Sequence, residues 1–160
     1  MHKPTLLISL LFFILPSVSI AGNAAVHVRG RLVCNGKPFK NEKVELYDKN
    51  KVKRDTRILT TKTDELGNFV IQASINEWTF FTPNPYIYFP NYCVLTTKIG
   101  SFECANGIKI FVPEAFVHEG HLPKSTFDIG EVELSNVKTE QQGLERLVYS
   151  IFDQQECRDV

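Results

Sequence analysis

Apolar residues recur with a period of two at both ends of the stretch Val26 to Asp48, VHVRGRLVCNGKPFKNEKVELYD. Val26, Val28, Leu32 and Cys34 share one parity, and His27, Arg29 and Arg31 share the other. That is the pattern of a strand with one face buried and one face wet. Asn35-Gly36 tolerates positive φ and Pro38 stiffens the exit, so the chain is expected to turn there. Val44 and Leu46 resume the period of two, giving an antiparallel pair or a corner.

The same period continues downstream. Lys49 to Arg57 is a polar, charged connection, and Ile58 to Thr63 (ILTTKT) is β-branched and reads as a third strand. Asp64 to Asn68 is a turn. Phe69, Ile71 and Ala73 then alternate with Val70, Gln72 and Ser74, which predicts a fourth strand and a second hairpin. From Trp78 to Tyr92 seven aromatic side chains crowd between Pro83, Pro85 and Pro90. Proline at those intervals excludes a helix and a central strand, so an edge strand with flanking loops is expected. Ile108, Ile110 and Val112 form the next strand. Phe127 to Leu134 (FDIGEVEL) is the last, and its parity slips between Ile129 and Val132, which a bulge at Gly130 would repair. No long helical period precedes residue 139. The expectation is an all-β sandwich of about seven or eight short strands over 22–136.

The two ends depart from this pattern. Leu6 to Leu15 is an apolar run interrupted only by Ser9, after His2 and Lys3, and it leads into Ser19-Ile20-Ala21. Those are the parts of a secretory signal peptide, expected to occupy 1–21. A run of ten residues is too short to span a bilayer, which needs about twenty, and no second stretch comes close. In the tail, 137–160, Leu144, Leu147, Val148, Ile151 and Phe152 recur at helical spacing. That predicts an amphipathic helix from about 140 to 153 lying on the sandwich.

Charge adds little to the picture. Without the leader, 17 basic residues face 18 acidic ones, and no run of like charge stands out. Nucleic acid and purely electrostatic membrane binding are therefore not expected. Export changes how the cysteines are read. Cys34, Cys93, Cys104 and Cys157 form an even set with three possible pairings. The short separation of Cys93 and Cys104 across Gly100 favours a local staple, which leaves Cys34 to reach Cys157. Such a long closed loop would contribute about 4 to 5 kcal/mol in the chain-entropy account.

Several of these landmarks, taken in order, resemble one family. Gly30 to Pro38 (GRLVCNGKP), Val44 to Asp48, Thr63-Asp64 with Gly67-Asn68-Phe69, Glu77-Trp78, Pro85 to Tyr88, the pair Cys93 and Cys104, and Phe127 to Gly130 resemble the nematode transthyretin-like proteins over roughly 26–135. The resemblance implies a secreted transthyretin-like β-sandwich. A terminal cysteine after the last strand is typical of the family and supports Cys34–Cys157. It also implies, as one possibility, a protein that bridges exposed phosphatidylserine on dying cells to a receptor. Pro90-Asn91-Tyr92 departs from the His-Asp pair often found before the corresponding cysteine, and the tail is longer than usual.

Three kinds of chemistry can be weighed against this frame. His118-Glu119-Gly120-His121 offers two imidazoles and a carboxylate, but Gly120 and Pro123 make it a loop rather than a zinc-binding helix. His118 and His121 are the only metal candidates, with His27 as a remote third, and no metal or other cofactor is expected. Hydrolysis of 5-hydroxyisourate, an activity of another transthyretin-fold enzyme, needs convergent His and Arg side chains and a C-terminal Tyr-Arg-Gly-Ser. This chain ends instead in Glu156-Cys157-Arg158-Asp159-Val160, so no catalysis is expected. The aromatic stretch is left: Trp78, Phe80, Phe81 and Tyr86 are the candidate contacts for a partner, since Tyr and Trp favour interfaces. The reading is a secreted binding or bridging protein for an extracellular protein or lipid. The alternative is a carrier of a small apolar ligand.

Overall fold

The structure is a computed structural model that describes residues 22–51, 53–76, 82–137 and 149–160, with the backbone alone for 149–154. The expected leader and Trp78, Phe80 and Phe81 lie outside the described residues. Ten strands follow in order: β1 (Asn23–Cys34), β2 (Lys37–Pro38), β3 (Lys43–Asp48), β4 (Thr56–Lys62), β5 (Asn68–Asn76), β6 (Pro85–Ile99), β7 (Phe102–Phe111), β8 (His118–Glu119), β9 (Phe127–Glu133) and β10 (Tyr149–Asp159). Two of the ten, β2 and β8, are two-residue pieces, so the long strands match the expected number.

The strands form two sheets. In the first, β1 is central, with β5 antiparallel along one side and β9 parallel along the other. The second has the order β10-β7-β6-β3-β4. Val26, Val28 and Leu32 of β1 are buried in one continuous core with Leu46, Ile87, Phe89, Ile108 and Ile110 of the second sheet. Arg29 and Arg31, on the opposite parity, pair with Asp128 and Glu131 on the surface. The alternation read from the chain is therefore the alternation of core and solvent.

The local turns follow their residues. Asn35 and Gly36 both have positive φ, 52° and 72°, as a two-residue hairpin of the kind Asn-Gly favours requires. Gly130 (φ 72°) marks a shift of register where β9 runs beside β1 between Arg29 and Arg31. Phe127, Ile129 and Val132 are all buried as a result.

Glu133 ties these two features together. Its carboxylate accepts hydrogen bonds from the backbone N–H of Asn35 (2.9 Å) and Gly36 (2.7 Å) and from the backbone N–H and hydroxyl of Ser135. Those donors, those of Ser135 foremost, hold it down at a pKa of about 2. The folded-state value lies below the ordinary 4.5, so the stabilisation is present above about pH 4.5 and is lost as pH falls towards 2. Melting temperatures measured at pH 7, 4 and 2.5 should therefore converge between wild type and Glu133→Gln as pH drops. A difference that widens on acidification would be inconsistent with this clamp.

Four expectations are corrected. First, the Asp64–Asn68 turn is not a hairpin: it carries the chain from β4 in the second sheet to β5 in the first. Second, the aromatic, proline-rich strand is central, with β6 lying between β3 and β7. Proline is tolerated because Pro85 is the first residue of the strand. Pro90 lies beyond Tyr88, the last β6 residue paired to β3, and at the start of an irregularity in the pairing to β7.

Third, the disulfides are Cys34–Cys93 and Cys104–Cys157, not Cys93–Cys104 and Cys34–Cys157. In the β6–β7 ladder Cys104 faces Thr97, four residues beyond Cys93. That offset is about 13 Å along a strand, too far for a disulfide. Cys157 lies directly opposite Cys104 in the β7–β10 ladder, with Cα atoms 4.1 Å apart. Cys93, half-buried beside the core, instead meets Cys34 at the end of β1, so this bridge fastens one sheet to the other.

Fourth, Tyr149–Asp159 is a strand, where a helix was expected to run on to about residue 153. The rest of the expected helix lies outside the described residues. The far edge of β7 needs a hydrogen-bonding partner, and the bridge at Cys157 requires extended backbone opposite Cys104.

Candidate functional site

The outer face of the second sheet carries its own pattern of alternation. Along β3, Val44 and Leu46 point to the core, which leaves Lys43, Glu45 and Tyr47 on the outside. Along β6, Ile87 and Phe89 point inward, leaving Tyr86 and Tyr88. Along β7, Ile108 and Ile110 point inward, leaving Gly107, Lys109 and Phe111. Register then decides which of these meet. Tyr47 lies opposite Tyr86, and Tyr86 opposite Phe111, while Glu45 lies opposite Tyr88, and Tyr88 opposite Lys109.

The rings interlock. Tyr47 and Tyr86 stack with centroids 5.4 Å apart and planes 8° from parallel, and Tyr88 meets Tyr47 edge-on at 5.9 Å. Lys109 Nζ covers the Tyr86 ring at 4.7 Å. Tyr88 lies flat over Gly107, where a Cβ would come within 2.2 Å of its ring. Any larger residue there would push the ring away.

Charged groups frame the rings. Glu45 is 1% exposed, yet its carboxylate is matched by Arg57 (3.1 Å), Lys43 (3.7 Å), the Tyr47 hydroxyl (3.2 Å) and the Thr60 hydroxyl (3.3 Å). Asp55, from the loop after β3, accepts the Tyr86 hydroxyl at 2.7 Å and stands 3.7 Å from Lys109. Glu156 of β10 pairs with Lys43 and accepts the Tyr88 hydroxyl. Asp55, Lys109 and Glu156, with Tyr47, Tyr86, Tyr88, Arg54 and Gln155, line a cleft of about 660 Å³.

The electrostatics hold the phenols as donors. Burial first, then the Asp55 and Glu156 carboxylates, push the Tyr86 and Tyr88 hydroxyls well above the usual phenol range. Burial lowers the Lys109 ammonium, and Asp55 partly offsets that. Each carboxylate in the cleft already has a cation or a hydroxyl at hydrogen-bonding or ion-pair distance. Its lining includes no serine or cysteine nucleophile among the described residues. The chemistry such walls offer is hydrogen bonding and charge.

The residues singled out from sequence fall in separate places. Tyr86 belongs to the cleft, but it is 2% exposed in mid-sheet, not on an edge. His121 sits between Asn23 (3.2 Å) and Ser74 (3.2 Å), His118 beside Ser125 (3.1 Å), and His27 beside Thr126 (2.7 Å). These imidazoles do not converge, and no group of three or more metal-ligating side chains occurs among the described residues. Sequence reading missed Glu45, Asp55, Lys109 and Glu156. The shared parity of Lys43, Glu45 and Tyr47 was the available signal.

Comparison with known proteins places this fold among relatives. The family model of the transthyretin-like family matches residues 29–113. Transthyretin-like protein 5 of Caenorhabditis elegans is 30% identical over 138 residues, covering 81% of this chain and 90% of that protein. Transthyretin-like protein 2 of the same organism is 30% identical over 114 residues, covering 68% and 73%. Transthyretin-like protein 33 is 32% identical over 108 residues, covering 67% and 71%.

Proposed function

Because this chain belongs to the transthyretin-like family, we propose that it is a secreted, non-enzymatic binding or bridging protein. It engages an extracellular protein or lipid surface without transforming it. The observation that carries this reading is the tyrosine cleft. Tyr86 and Tyr88 give their hydroxyl protons to Asp55 and Glu156, which fixes the polar walls of the cleft and offers no activated nucleophile. The two disulfides and the leader-like first 21 residues fit an oxidising compartment. The alternative, a carrier of a small apolar ligand, draws no support from this cleft, whose lining holds no aliphatic side chain among the described residues.

Exposed phosphatidylserine is the first partner to test. The expected result is that protein recovered from culture medium has lost its leader and sediments with vesicles containing phosphatidylserine but not with phosphatidylcholine alone. A precursor retained inside the cell with its leader intact would overturn the secretory reading. Turnover of 5-hydroxyisourate above the spontaneous rate would overturn the non-enzymatic one.

A further inference from the structure

We propose that Lys49, Lys51, Lys53 and Arg54, on the loop that follows β3, form a docking track for a sulfated polysaccharide. The chain as a whole is neutral, with 18 basic and 18 acidic residues. The nine residues 49–57 nevertheless hold five of the cations and a single acid, Asp55. That acid is turned inward to the Tyr86 hydroxyl and the Asn50 backbone N–H. Of the five cations, Arg57 is matched by Glu45 and Lys49 sits over the Phe111 ring. Lys51, Lys53 and Arg54 are exposed and have no carboxylate partner among the described residues.

Cations crowded in a loop repel one another, so the loop needs something to hold it. Asn50 does so: its amide donates to the Arg54 carbonyl and the Thr56 hydroxyl, each at 3.0 Å. The Lys49 N–H is tied to the Asn84 carbonyl across the turn at 3.1 Å. The positive charges are thus held outward in advance, which lowers the entropic cost of binding a polyanion.

The placement points to a linear ligand. Arg54 borders the tyrosine cleft, and Lys51 borders a second cavity of about 630 Å³ lined by Thr82, Pro83 and Asn84. Arg54 and Lys51 therefore border different depressions and do not line one pocket. A bilayer would favour aromatic or long aliphatic side chains among the cations, and the sequence of 49–57 carries neither, Val52 being its one apolar residue. Single-stranded nucleic acid would want free rings for stacking, whereas Tyr86 and Tyr88 are covered. Sulfate groups suit guanidinium and ammonium donors, and a hydrated sugar chain suits the polar walls.

The experiment is chromatography of the full mature chain on heparin-agarose, with unsulfated heparosan as the comparison. Wild type should be retained at about 0.15 M salt, the physiological ionic strength, and released by raising it, with little retention on heparosan. Lys51→Gln/Lys53→Gln/Arg54→Gln should weaken binding tenfold or more and flatten its salt dependence, as counterion release predicts for polyanions. Its melting temperature should stay unchanged, since those side chains make no ion pairs among the described residues. Lys37→Gln/Lys40→Gln/Lys62→Gln, placed at the opposite ends of β3 and β4, should leave retention intact. The proposal fails if wild type flows through, if both triple variants lose retention equally, or if heparosan binds as well as heparin. It also fails if the loop proves necessary for phosphatidylserine vesicles while heparin goes unbound. Export and vesicle binding can each hold or fail without deciding this outcome.

Discussion

Replacing Cys34 and Cys93 together by serine is expected to lower the unfolding free energy by about 4 kcal/mol in the chain-entropy account. The bridge closes a span of 59 residues and is a covalent tie between the two sheets. Urea titration of the oxidised protein would measure the loss. Peptide mapping without reduction gives the sharper test, because it must yield Cys34 linked to Cys93 and Cys104 linked to Cys157. A peptide joining Cys93 to Cys104 would overturn the β6–β7 register described above. The Cys104–Cys157 bridge spans a similar 53 residues, but it fastens an outer strand. Its removal should therefore expose β10 to proteolysis first and leave the core of β1, β3, β6 and β7 resistant.

Gly107→Ala should cost about 1 to 3 kcal/mol, the usual penalty of forcing an extra group into packed space. The added carbon would stand 2.2 Å from Tyr88 Cε2 and 2.7 Å from both Cζ and the hydroxyl oxygen. Tyr88 cannot easily yield, because it is packed edge-on against Tyr47 and its hydroxyl is bound to Glu156. The cleft should lose its shape along with the stability. Removing the ring relieves the clash, so Gly107→Ala combined with Tyr88→Ala should cost less than the sum of the two single changes. Strict additivity in denaturation would show that the glycine is not there to seat the ring.

What could be read along the chain was what neighbouring residues decide among themselves. The alternation of β1, the Asn35-Gly36 turn and the Gly130 bulge are each settled within a few positions, and each was legible. Whether Cys104 meets Cys93 or Cys157 depends on which strand lies beside β7 and in what register, and spacing carries no trace of that. The tail misled for a related reason. Its apolar residues fit a helical period as far as Phe152, but the open edge of β7 recruits residues 149–159 as a strand. The cleft was half legible. Lys43, Glu45 and Tyr47 announce a wet face, but only pairing brings Tyr86, Tyr88 and Lys109 beside them. The loop 49–57 reads along the chain only as a polar, charged connection, because the turning of Asp55 to the phenol of Tyr86 is decided by packing and not by its neighbours in sequence.

The parallel pairing of β1 with β9 has a bearing on how the newborn chain reaches this structure. Arg31 and Glu131, matched across that seam, are 100 residues apart, and contacts so remote form late because a long loop must close first. β1 therefore keeps one flank vacant until β9, 100 residues downstream at the Arg31–Glu131 contact, has emerged. During that interval Val26, Val28 and Leu32 form a sticky ribbon beside an unfilled edge, which makes a chaperone escort a natural requirement of biogenesis. Chains cut short before Phe127 should accordingly clump more than chains completed through Glu133, which lack only the cover of β10 on β7.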